Sequence, residues 1–460
     1  MRKHNGWSYA PYRPPFIDVG DIYICRIVPS ENTIRVEWYE DICEPCTAYI
    51  RRRGEESFAA VGTSNQKYYV FEGLDSGVDY EFYIKSGEKK SRIRLAKTGK
   101  SVGSIVNYLH PDDPAYSFSG HYLCSPSLVR HPDGYLLASM DLYEGLAPQN
   151  LSLIYRSDDN GENWHYVSEL FPCFWGKMFI YNSELYMLSV STEYGDLLIG
   201  KSSDGGKSFT EPVVLLRGAN GKKGSAGIHK NPQPLLEYGG RLWGTLEWGA
   251  WGSGYHAPMV MSAPIGSDLL DPESWLYSEP IKYDSAWKGV PRGESNGNIE
   301  GTLTVVDGKL YNIMRYSMDK LERKYGLVIS YRVNTEEPEA PLVYDHCIEF
   351  PGNNSKFTIK YDSVSERYYS LVTRIYDGER IRARNLLSLM RSEDCENWEL
   401  VRDEIDMREC DHQFVGFQYV DFEIEGDDII YLCRTAINGA HNFHDSNYST
   451  FHRIKNFRAL

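Results

Sequence analysis

Two arginines stand inside apolar runs of the sequence, where a charge needs a partner. Arg315 lies in LYNIMRY and Arg434 lies in YLCRTA. An unpaired charge among apolar side chains is costly, so each guanidinium must meet either an acidic side chain or a bound anion. Glu300, a short distance before Arg315, is one candidate partner. Each position therefore predicts either a bound anionic ligand or a structural ion pair.

Two carboxylates and one histidine could carry out proton transfer. Glu300 and Glu247, in GTLEWGAWG, could serve a glycoside hydrolase as acid and as nucleophile or base. Either one could instead be a paired structural residue. His229 lies in GIHKNPQP, a loop rich in Gly and Pro of the kind that carries functional residues. Imidazole titrates near neutral pH, which suits it to such chemistry.

Tryptophans are frequent around the Gly-rich loops of the chain. They are Trp175, Trp243, Trp248 and Trp251. The face of an indole can stack on a sugar ring, which makes Trp175 and Trp251 candidate substrate-binding residues. Packing in the core or between sheets is the alternative for at least half of the four.

Two small groups of residues have types that metals bind. His441 and His444 with Asp445 could form a metal cluster, but no further ligand has suitable spacing, so we favour hydrogen bonding within a turn. His444 is kept as a candidate substrate-binding residue. Cys43 and Cys46 have the C-x-x-C spacing, but without a second pair we interpret them as small apolar side chains. The sequence therefore predicts no metal and no cofactor.

The composition excludes several classes of partner. The 460 residues carry 49 Lys and Arg against 64 Asp and Glu, a formal net charge of −15, which disfavours nucleic acid and anionic membrane surfaces. The start of the chain, MRKHNGWSYAPYRPPF, lacks the apolar segment of a secretion signal, which predicts a cytoplasmic protein. The nine cysteines are scattered, so we expect them to be reduced.

Short strands must position these candidates. Runs such as TIRVEWY, YEFYIKS and DIIYLCR alternate and are bounded by Gly, Asp, Asn or Pro, which predicts an all-β protein. Residues 1–102 carry about seven such runs, the size of a β-sandwich. Trp38 within a strand, and the segment 74–80 that ends in Tyr80 as a tyrosine corner does, give this unit a resemblance to a fibronectin type III domain.

Residues 103–460 repeat a different pattern. SDDNGENW (157–164) and SSDGGKSF (202–209) fit S-x-D-x-G-x-x-[WF], and SEDCENW (392–398) is a shorter version without the Gly. These are Asp-boxes, hairpin turns in which Asp accepts backbone amides, Gly adopts positive φ and the aromatic residue packs between sheets. Repetition every 45–60 residues or so indicates a β-propeller of four-stranded blades, with seven blades favoured over six.

With these boxes the second unit resembles the sialidase-like propellers, and in particular the propeller polysaccharide lyases of the ulvan lyase and rhamnosyl-glucuronate lyase type. The segments that carry this resemblance are SPSLVRHPDGYLLAS (125–139), ELYML (184–188), MSAP (261–264), IEGT (299–302), SKFTI (355–359), QYVD (418–421) and the end of the chain (444–458). Cys124 stands where sialidases have the first arginine of their triad, which counts against sialic acid as the substrate.

The resemblance to the lyases implies further site residues. By position, His121 and Tyr186 match the family's proton-transfer residues, and Lys201 matches the cation that neutralises the uronate carboxylate. Met140 stands where a second family histidine would fall, so that histidine's task would pass to His229. Each has a structural alternative: His121 as a loop residue, Tyr186 in blade packing and Lys201 as a solvated charge.

The sequence therefore predicts a carbohydrate-active enzyme that cleaves an acidic, glucuronate-containing oligosaccharide or polysaccharide, with rhamnose as a neighbour, by β-elimination. Elimination needs a group that neutralises the carboxylate, a base and an acid. The alternatives are a glycoside hydrolase that uses Glu300 and Glu247, and a carbohydrate-binding propeller without catalysis.

Overall fold

A computed structural model describes residues 20–41, 44–219, 225–295, 297–316, 326–352, 355–378 and 382–460. Within these ranges the protein is all-β, as the sequence predicts. The only helical elements there are four single 3-10 turns, Pro114–Tyr116, Trp251–Ser253, Pro272–Ser274 and Phe457–Ala459. No helix among the described residues is long and apolar enough to cross a membrane.

The first unit consists of two antiparallel sheets that pack face to face. Its strands are β1 (Ile24–Pro29), β2 (Ile34–Trp38), β3 (Cys46–Arg52), β4 (Ala59–Ser64), β5 (Tyr68–Phe71), β6 (Asp79–Ser86), β7 (Lys89–Lys90) and β8 (Arg94–Lys97). One sheet has the order β1-β2-β5, and the other has β4-β3-β6 with β7 and β8 both paired to β6. Alternate residues of both sheets are buried and share one apolar core, which includes Trp38 and Phe82. The backbone N–H of Asp75 donates to the Tyr80 hydroxyl (3.0 Å).

The second unit consists of six small antiparallel sheets. The first sheet contains β10 (Tyr122–Arg130), β11 (Leu136–Tyr143), β12 (Ser152–Ser157) and β13 (His165–Leu170). The second contains β14 (Phe174–Tyr181), β15 (Glu184–Val190), β16 (Leu197–Ser202) and β17 (Val213–Leu216). The third contains β18 (Gly227–His229), β19 (Leu236–Tyr238), β20 (Arg241–Ala250), β21 (Tyr255–Pro264) and β22 (Leu276–Tyr277). The fourth sheet contains β23 (Asn298–Val306), β24 (Lys309–Tyr316), β25 (Leu327–Arg332) and β26 (Val343–Glu349). The fifth contains β27 (Ile359–Asp362), β28 (Arg367–Thr373), β29 (Leu386–Ser392) and β30 (Trp398–Asp406). The sixth contains β31 (Gly416–Glu425), β32 (Asp428–Ala436), β33 (Tyr448–Ile454) and β9 (Ser104–Tyr108).

The six sheets form a closed ring. Each sheet shares an apolar core with the next one, and the sixth shares a core with the first, where Leu432 and Phe451 pack with Leu128 and Leu136. β9 precedes the first sheet in the chain but pairs with β33 of the sixth sheet. Early and late segments of the unit are therefore hydrogen-bonded together, as in a β-propeller.

The described residues of this unit form six sheets, where the sequence favoured seven blades over six. The segment between β21 and β23 contains only the two residues of β22 in strand conformation, with long connections on both sides.

The turns at the two ends of the sheets have different characters. At one end, Asp159 and Asp204 accept the backbone N–H groups of Asn163 and Ser208, both at 2.8–2.9 Å, and these turns join the third strand of a sheet to the fourth. Asp394 lies in the corresponding turn of the fifth sheet. We call this the turn end. At the opposite end of the same sheets, first strands begin and second strands finish, as the pairing of Cys124 with Asp141 shows.

The first unit is attached to the ring by buried polar contacts. The guanidinium of Arg26 donates to the carbonyls of Val106 (2.7 Å) and Ile105 (2.8 Å). Arg94 forms an ion pair with Asp113 at 2.7 Å, and both side chains are at most 5% exposed. Because buried charges left without partners are costly, these contacts hold the two units in a fixed relation.

Candidate active site

Four first strands carry the same irregularity near their beginning. The pairing register shifts between Cys124 and Ser127, and corresponding shifts occur in β14, β23 and β31. Within each shift one residue that is not glycine has a positive φ. They are Ser125 (50°), Trp175 (50°), Glu300 (61°) and Tyr419 (55°). Such backbone costs about 1–3 kcal/mol per residue and is typical of functional sites.

These bulges bring side chains of different sheets together. A bulge re-aims the side chain of its strand. The hydroxyl of Tyr419, from the sixth sheet, donates to Oε1 of Glu300, from the fourth, at 2.8 Å. Because these two sheets are not neighbours in the ring, the contact spans its centre. The candidate site therefore lies on the axis, at the end opposite the Asp turns.

Glu300 is the most connected group of the site. Its Oε2 forms an ion pair with Nε of Arg315 at 2.8 Å, so the sequence-predicted pairing of these residues exists. Its backbone N–H donates to Oε1 of Glu247 at 3.0 Å. Glu300 and Arg315 are 6% and 12% exposed at their side chains. One carboxylate thus contacts a cation with one oxygen and a phenol with the other.

His229 and Glu247 form a buried pair beside Glu300. Nδ1 of His229 lies 2.5 Å from Oε2 of Glu247, and the side chains are 5% and 1% exposed. Burial lowers the pKa of His229 to about 4. Burial, with the charge of Glu300, raises the pKa of Glu247. Both shifts favour a pair without net charge, in which His229 is a neutral imidazole.

Two more arginines surround Tyr419. The guanidinium of Arg434 lies 5.0 Å from the centre of the Tyr419 ring, and that of Arg384 lies 5.9 Å away. Arg384 also donates to Gln418. Nε of Arg434 is buried and has no hydrogen-bond partner among the described residues. With Arg315, the site holds three guanidinium groups in a chain that is negative overall.

The charges of these groups affect one another. Burial, assisted by the charges of Arg315 and Arg434, lowers the pKa of Arg384 to about 10, which leaves it protonated at neutral pH. Burial and the charge of Glu300 raise the pKa of Tyr419, against the opposing effect of the arginines. Tyr419 is therefore a neutral phenol at rest. The excess of positive charge makes the site suitable for an anion.

A polar loop after β32 holds Arg434 in place. Arg434 donates to the carbonyl of His444 at 2.5 Å. Nδ1 of His444 and Nδ1 of His441 lie 2.8 and 2.9 Å from Asp445. The backbone N–H groups of His444 and Asp445 donate to Asn442. These contacts are the hydrogen bonds within a turn that the sequence favoured for His441, His444 and Asp445.

His121 lies at the same end of the ring but outside the cluster around Tyr419. Its Nδ1 lies 2.8 Å from Oε2 of Glu144, and both side chains are partly exposed. The next residue, Tyr122, stacks on His441 with ring centres 5.3 Å apart. His121 thus lies outside the cluster around Tyr419, near the loop that holds Arg434.

Tyr186 and Lys201 lie at the turn end of the second sheet, away from the cluster. They pair with each other across β15 and β16, next to Ser202, which begins an Asp turn. Tyr186 stacks on Phe179, and burial raises its pKa to about 12. Lys201 forms an ion pair with Glu184 at 2.9 Å. The structure therefore does not bring them together with His229, and their contacts are those of the structural alternatives.

The four tryptophans differ in their surroundings, although Trp175, like Trp248, packs partly buried against an apolar core. Trp243 and Trp248 pack in apolar cores between sheets. Trp175 lies on its bulge with its ring 4.3 Å from that of His229. Trp251 is 46% exposed at the same end of the third sheet.

Sequence reasoning missed Tyr419 and Arg384. Tyr419 lies in the QYVD segment that contributed to the resemblance, but nothing distinguished it from the other tyrosines. Arg384 precedes β29 in a polar stretch and was not singled out. Cys43 of the C-x-x-C pair lies outside the described residues.

No protein-family model and no curated protein match this chain. Solved structures do. An α-L-arabinanase of Penicillium chrysogenum complexed with arabinobiose is 13% identical, with a TM-score of 0.50, and the match covers 78% of this chain and 99% of that one. The Trypanosoma rangeli sialidase in complex with 2,3-difluorosialic acid is 14% identical, with a TM-score of 0.51, covering 76% and 57% of the two chains.

An ulvan lyase bound to a GlcA(1-4)Rha3S fragment also matches, with 11% identity, a TM-score of 0.44 and 96% coverage of both chains. At these identities, the arabinanase and the sialidase show a shared fold. Together with the closed ring of sheets, this likeness supports a β-propeller.

Proposed function

We propose that this protein is a carbohydrate-active enzyme that cleaves the glycosidic bond of an acidic sugar, bound where Arg315, Arg384 and Arg434 surround Tyr419. Guanidinium groups are suited to binding carboxylates. Nε of Arg434 offers a buried donor that no described residue accepts. The arabinanase and the sialidase that share the fold are both described in complex with a sugar or sugar analogue, which agrees with this proposal.

The contact between Tyr419 and Glu300 carries the proposal. A nucleophile within 2.6–3.2 Å of a base is the arrangement that covalent catalysis requires, and the observed distance is 2.8 Å. Tyrosine serves as the nucleophile in sialidases. The carboxylate of Glu300 takes the phenolic proton while the phenolate oxygen forms a bond to the anomeric carbon. The bond between the anomeric carbon and the leaving oxygen breaks, and solvent water supplies the proton that this oxygen takes up.

The second half of the reaction reverses these roles. Water replaces Tyr419 at the anomeric carbon and releases a proton to solvent, and the phenolate recovers its own proton from Glu300. The net result is hydrolysis with retention of configuration. The arginines stabilise the negative charge that develops on the phenolate and fix the carboxylate of the sugar. Glu247 has a positioning role, because it accepts the backbone N–H groups of Glu300 and Gly301.

Elimination at a uronate is the second candidate. We call Arg315, Arg384 and Arg434 the arginine cluster. The observation in favour of elimination is His229, a neutral imidazole beside this cluster. A neutral imidazole can act as the base that removes the C5 proton once the carboxylate is neutralised. Tyr419 would then protonate the leaving oxygen. Tyr186 and Lys201, which the resemblance to the lyases implied for this chemistry, lie at the other end of their sheet.

We also propose a division of the chain at about residue 102 into a fibronectin type III-like sandwich and a six-bladed propeller. The strand orders β1-β2-β5 and β4-β3-β6-β8 support the first assignment. The six cores between neighbouring sheets support the second. In this proposal the sandwich is a structural unit, and the chemistry belongs to the propeller.

The test of Tyr419 as a catalytic residue is a set of matched hydroxyl deletions. Tyr419→Phe and Tyr186→Phe each remove one phenolic hydroxyl, from the site and from the turn end. With glucuronate-containing oligosaccharides as substrates and new reducing ends as the readout, we expect Tyr419→Phe to lower kcat by at least about 10³-fold and to leave substrate binding intact. Tyr186→Phe keeps its activity. Activity that survives in Tyr419→Phe, or disappears in Tyr186→Phe, overturns the assignment.

A further inference from the structure

A continuous wall of rings leads away from the arginine cluster. It begins at His229, whose ring lies 5.3 Å from that of His256. His256 in turn lies 4.6 Å from the indole of Trp251, with the two rings nearly perpendicular. Tyr194 joins the wall through its hydroxyl, 3.1 Å from Nε2 of His256. The wall thus connects the buried base candidate to the surface of the third sheet.

Trp251 is the exposed member of this wall, and its backbone is fixed. It starts the 3-10 turn between β20 and β21, where its backbone N–H donates to the Tyr194 hydroxyl at 3.2 Å. Ser253 accepts the N–H of Ala250 and closes the turn. Even so, 46% of Trp251 remains exposed. An aromatic side chain that is held in place and open to solvent offers a face on which a sugar ring can stack.

The chemistry of the wall differs from that of the arginine cluster. His229 is neutral, Tyr194 is a phenol, and Trp251 presents an uncharged aromatic face. An aromatic face suits the apolar C–H face of a sugar ring. The two surfaces share His229 and Glu247, since Glu247 contacts both His229 and the backbone of Glu300. A sugar beside the arginines therefore has the wall as its neighbour.

We propose that Trp251 forms a second subsite, which stacks an uncharged sugar linked to the acidic sugar in the arginine cluster. This inference rests on the proposed function for the position of the acidic sugar. It defines the substrate class as an oligosaccharide of at least two units, one with a carboxylate and one with an apolar face. A free acidic monosaccharide would fill only half of the site.

The test compares a monosaccharide with a disaccharide. The probes are glucuronate and glucuronosyl-rhamnose, and calorimetric titration of the Tyr419→Phe protein avoids turnover. In that background we expect Trp251→Ala to weaken disaccharide binding by about tenfold or more and to change glucuronate binding by less than about twofold. We expect Trp251→Phe to recover part of the lost disaccharide affinity. Tyr361→Ala is the matched control, because Tyr361 is 50% exposed but lies on β27, near its turn to β28.

The outcomes separate the subsite from the acidic site. Equal weakening of both probes by Trp251→Ala, or no weakening of the disaccharide, overturns the second subsite. So does a loss of the same size in Tyr361→Ala. Disaccharide binding that depends on Trp251 but is unchanged by Arg434→Gln supports the stacking surface and refutes the arginine cluster instead. Failure of the proposed function is thus distinguished from failure of this inference.

Discussion

The ion pair between Lys177 and Asp421 gives the sharpest stability prediction. Nζ of Lys177, on β14, lies 2.5 Å from Oδ2 of Asp421, on β31, and the side chains are 3% and 0% exposed. The same oxygen accepts the backbone N–H of Leu128, on β10, at 2.7 Å. Three first strands therefore meet at one carboxylate, and these are the strands that carry Ser125, Trp175 and Tyr419.

Lys177→Met removes the cation and leaves the carboxylate buried. Burial opposes ionisation of Asp421, but the charges of Lys177 and Lys356 outweigh it and lower its pKa. Oδ1 of Asp421 has no hydrogen-bond partner among the described residues, so the N–H of Leu128 and the charges of Lys356 and Lys360 are what remains to stabilise the carboxylate. Breaking a buried pair in this way costs about 3–5 kcal/mol. We expect a loss of this size in the free energy of unfolding.

The assay is urea unfolding at neutral pH, followed by tryptophan fluorescence. Lys360→Met is the control, since the pair of Lys360 with Glu423 also involves β31 but its side chains are 18% and 33% exposed. A partly exposed pair contributes about 1 kcal/mol or less. If Lys177→Met shifts the unfolding midpoint no further than Lys360→Met does, then the Lys177–Asp421 ion pair does not stabilise the strands that carry the site, and the prediction is refuted.

Two further predictions concern the Asp turns. Gly161 and Gly134 both have φ above 90°, but only at Gly161 would an added Cβ overlap the ring of Phe451. Gly161→Ala should therefore lower the free energy of unfolding by about 1–3 kcal/mol more than Gly134→Ala does, measured by thermal or urea unfolding. Equal losses would contradict this. The pKa of Asp394 is lowered from 3.8 to about 2, because hydrogen bonds from Asn397 outweigh the effect of burial. The contribution of Asp394 to the free energy of unfolding is therefore present above pH 4 and is lost as the pH falls towards 2. Asp394→Asn should therefore lower stability at pH 7 by about 1–2 kcal/mol, after allowance for solvent screening, and lose less stability than the parent protein between pH 5 and 3. Parallel pH profiles would refute the assignment.

Much of the fold and part of the site could be predicted from the sequence, for identifiable reasons. Alternation of apolar residues fixes strands, so the all-β class followed directly. Arg315, Arg434 and Glu300 were found because a charge inside an apolar strand needs a partner. The number of sheets could not be predicted, because chain length in connections such as that between β21 and β23 is not visible in strand patterns.

Tyr419 shows why the rest of the site was missed. A β-bulge adds one residue to its strand and reverses the alternation beyond it, so a side chain that alternation assigns to one face points elsewhere. Glycine follows the bulge residue in Trp175-Gly176 and Glu300-Gly301, but not after Tyr419. Tyr186 was selected by position in a resembling family, yet its register with Lys201 places it at the turn end.

The measurement that tests the central claim most directly is the simultaneous recording of new reducing ends and of the ultraviolet absorbance of unsaturated uronates, during incubation with glucuronate-containing oligosaccharides. Nucleophilic attack by Tyr419 predicts reducing ends without that absorbance, and the loss of both signals in Tyr419→Phe. A rise in absorbance would contradict hydrolysis and establish elimination. Undiminished reducing ends in Tyr419→Phe would contradict the role of Tyr419 itself.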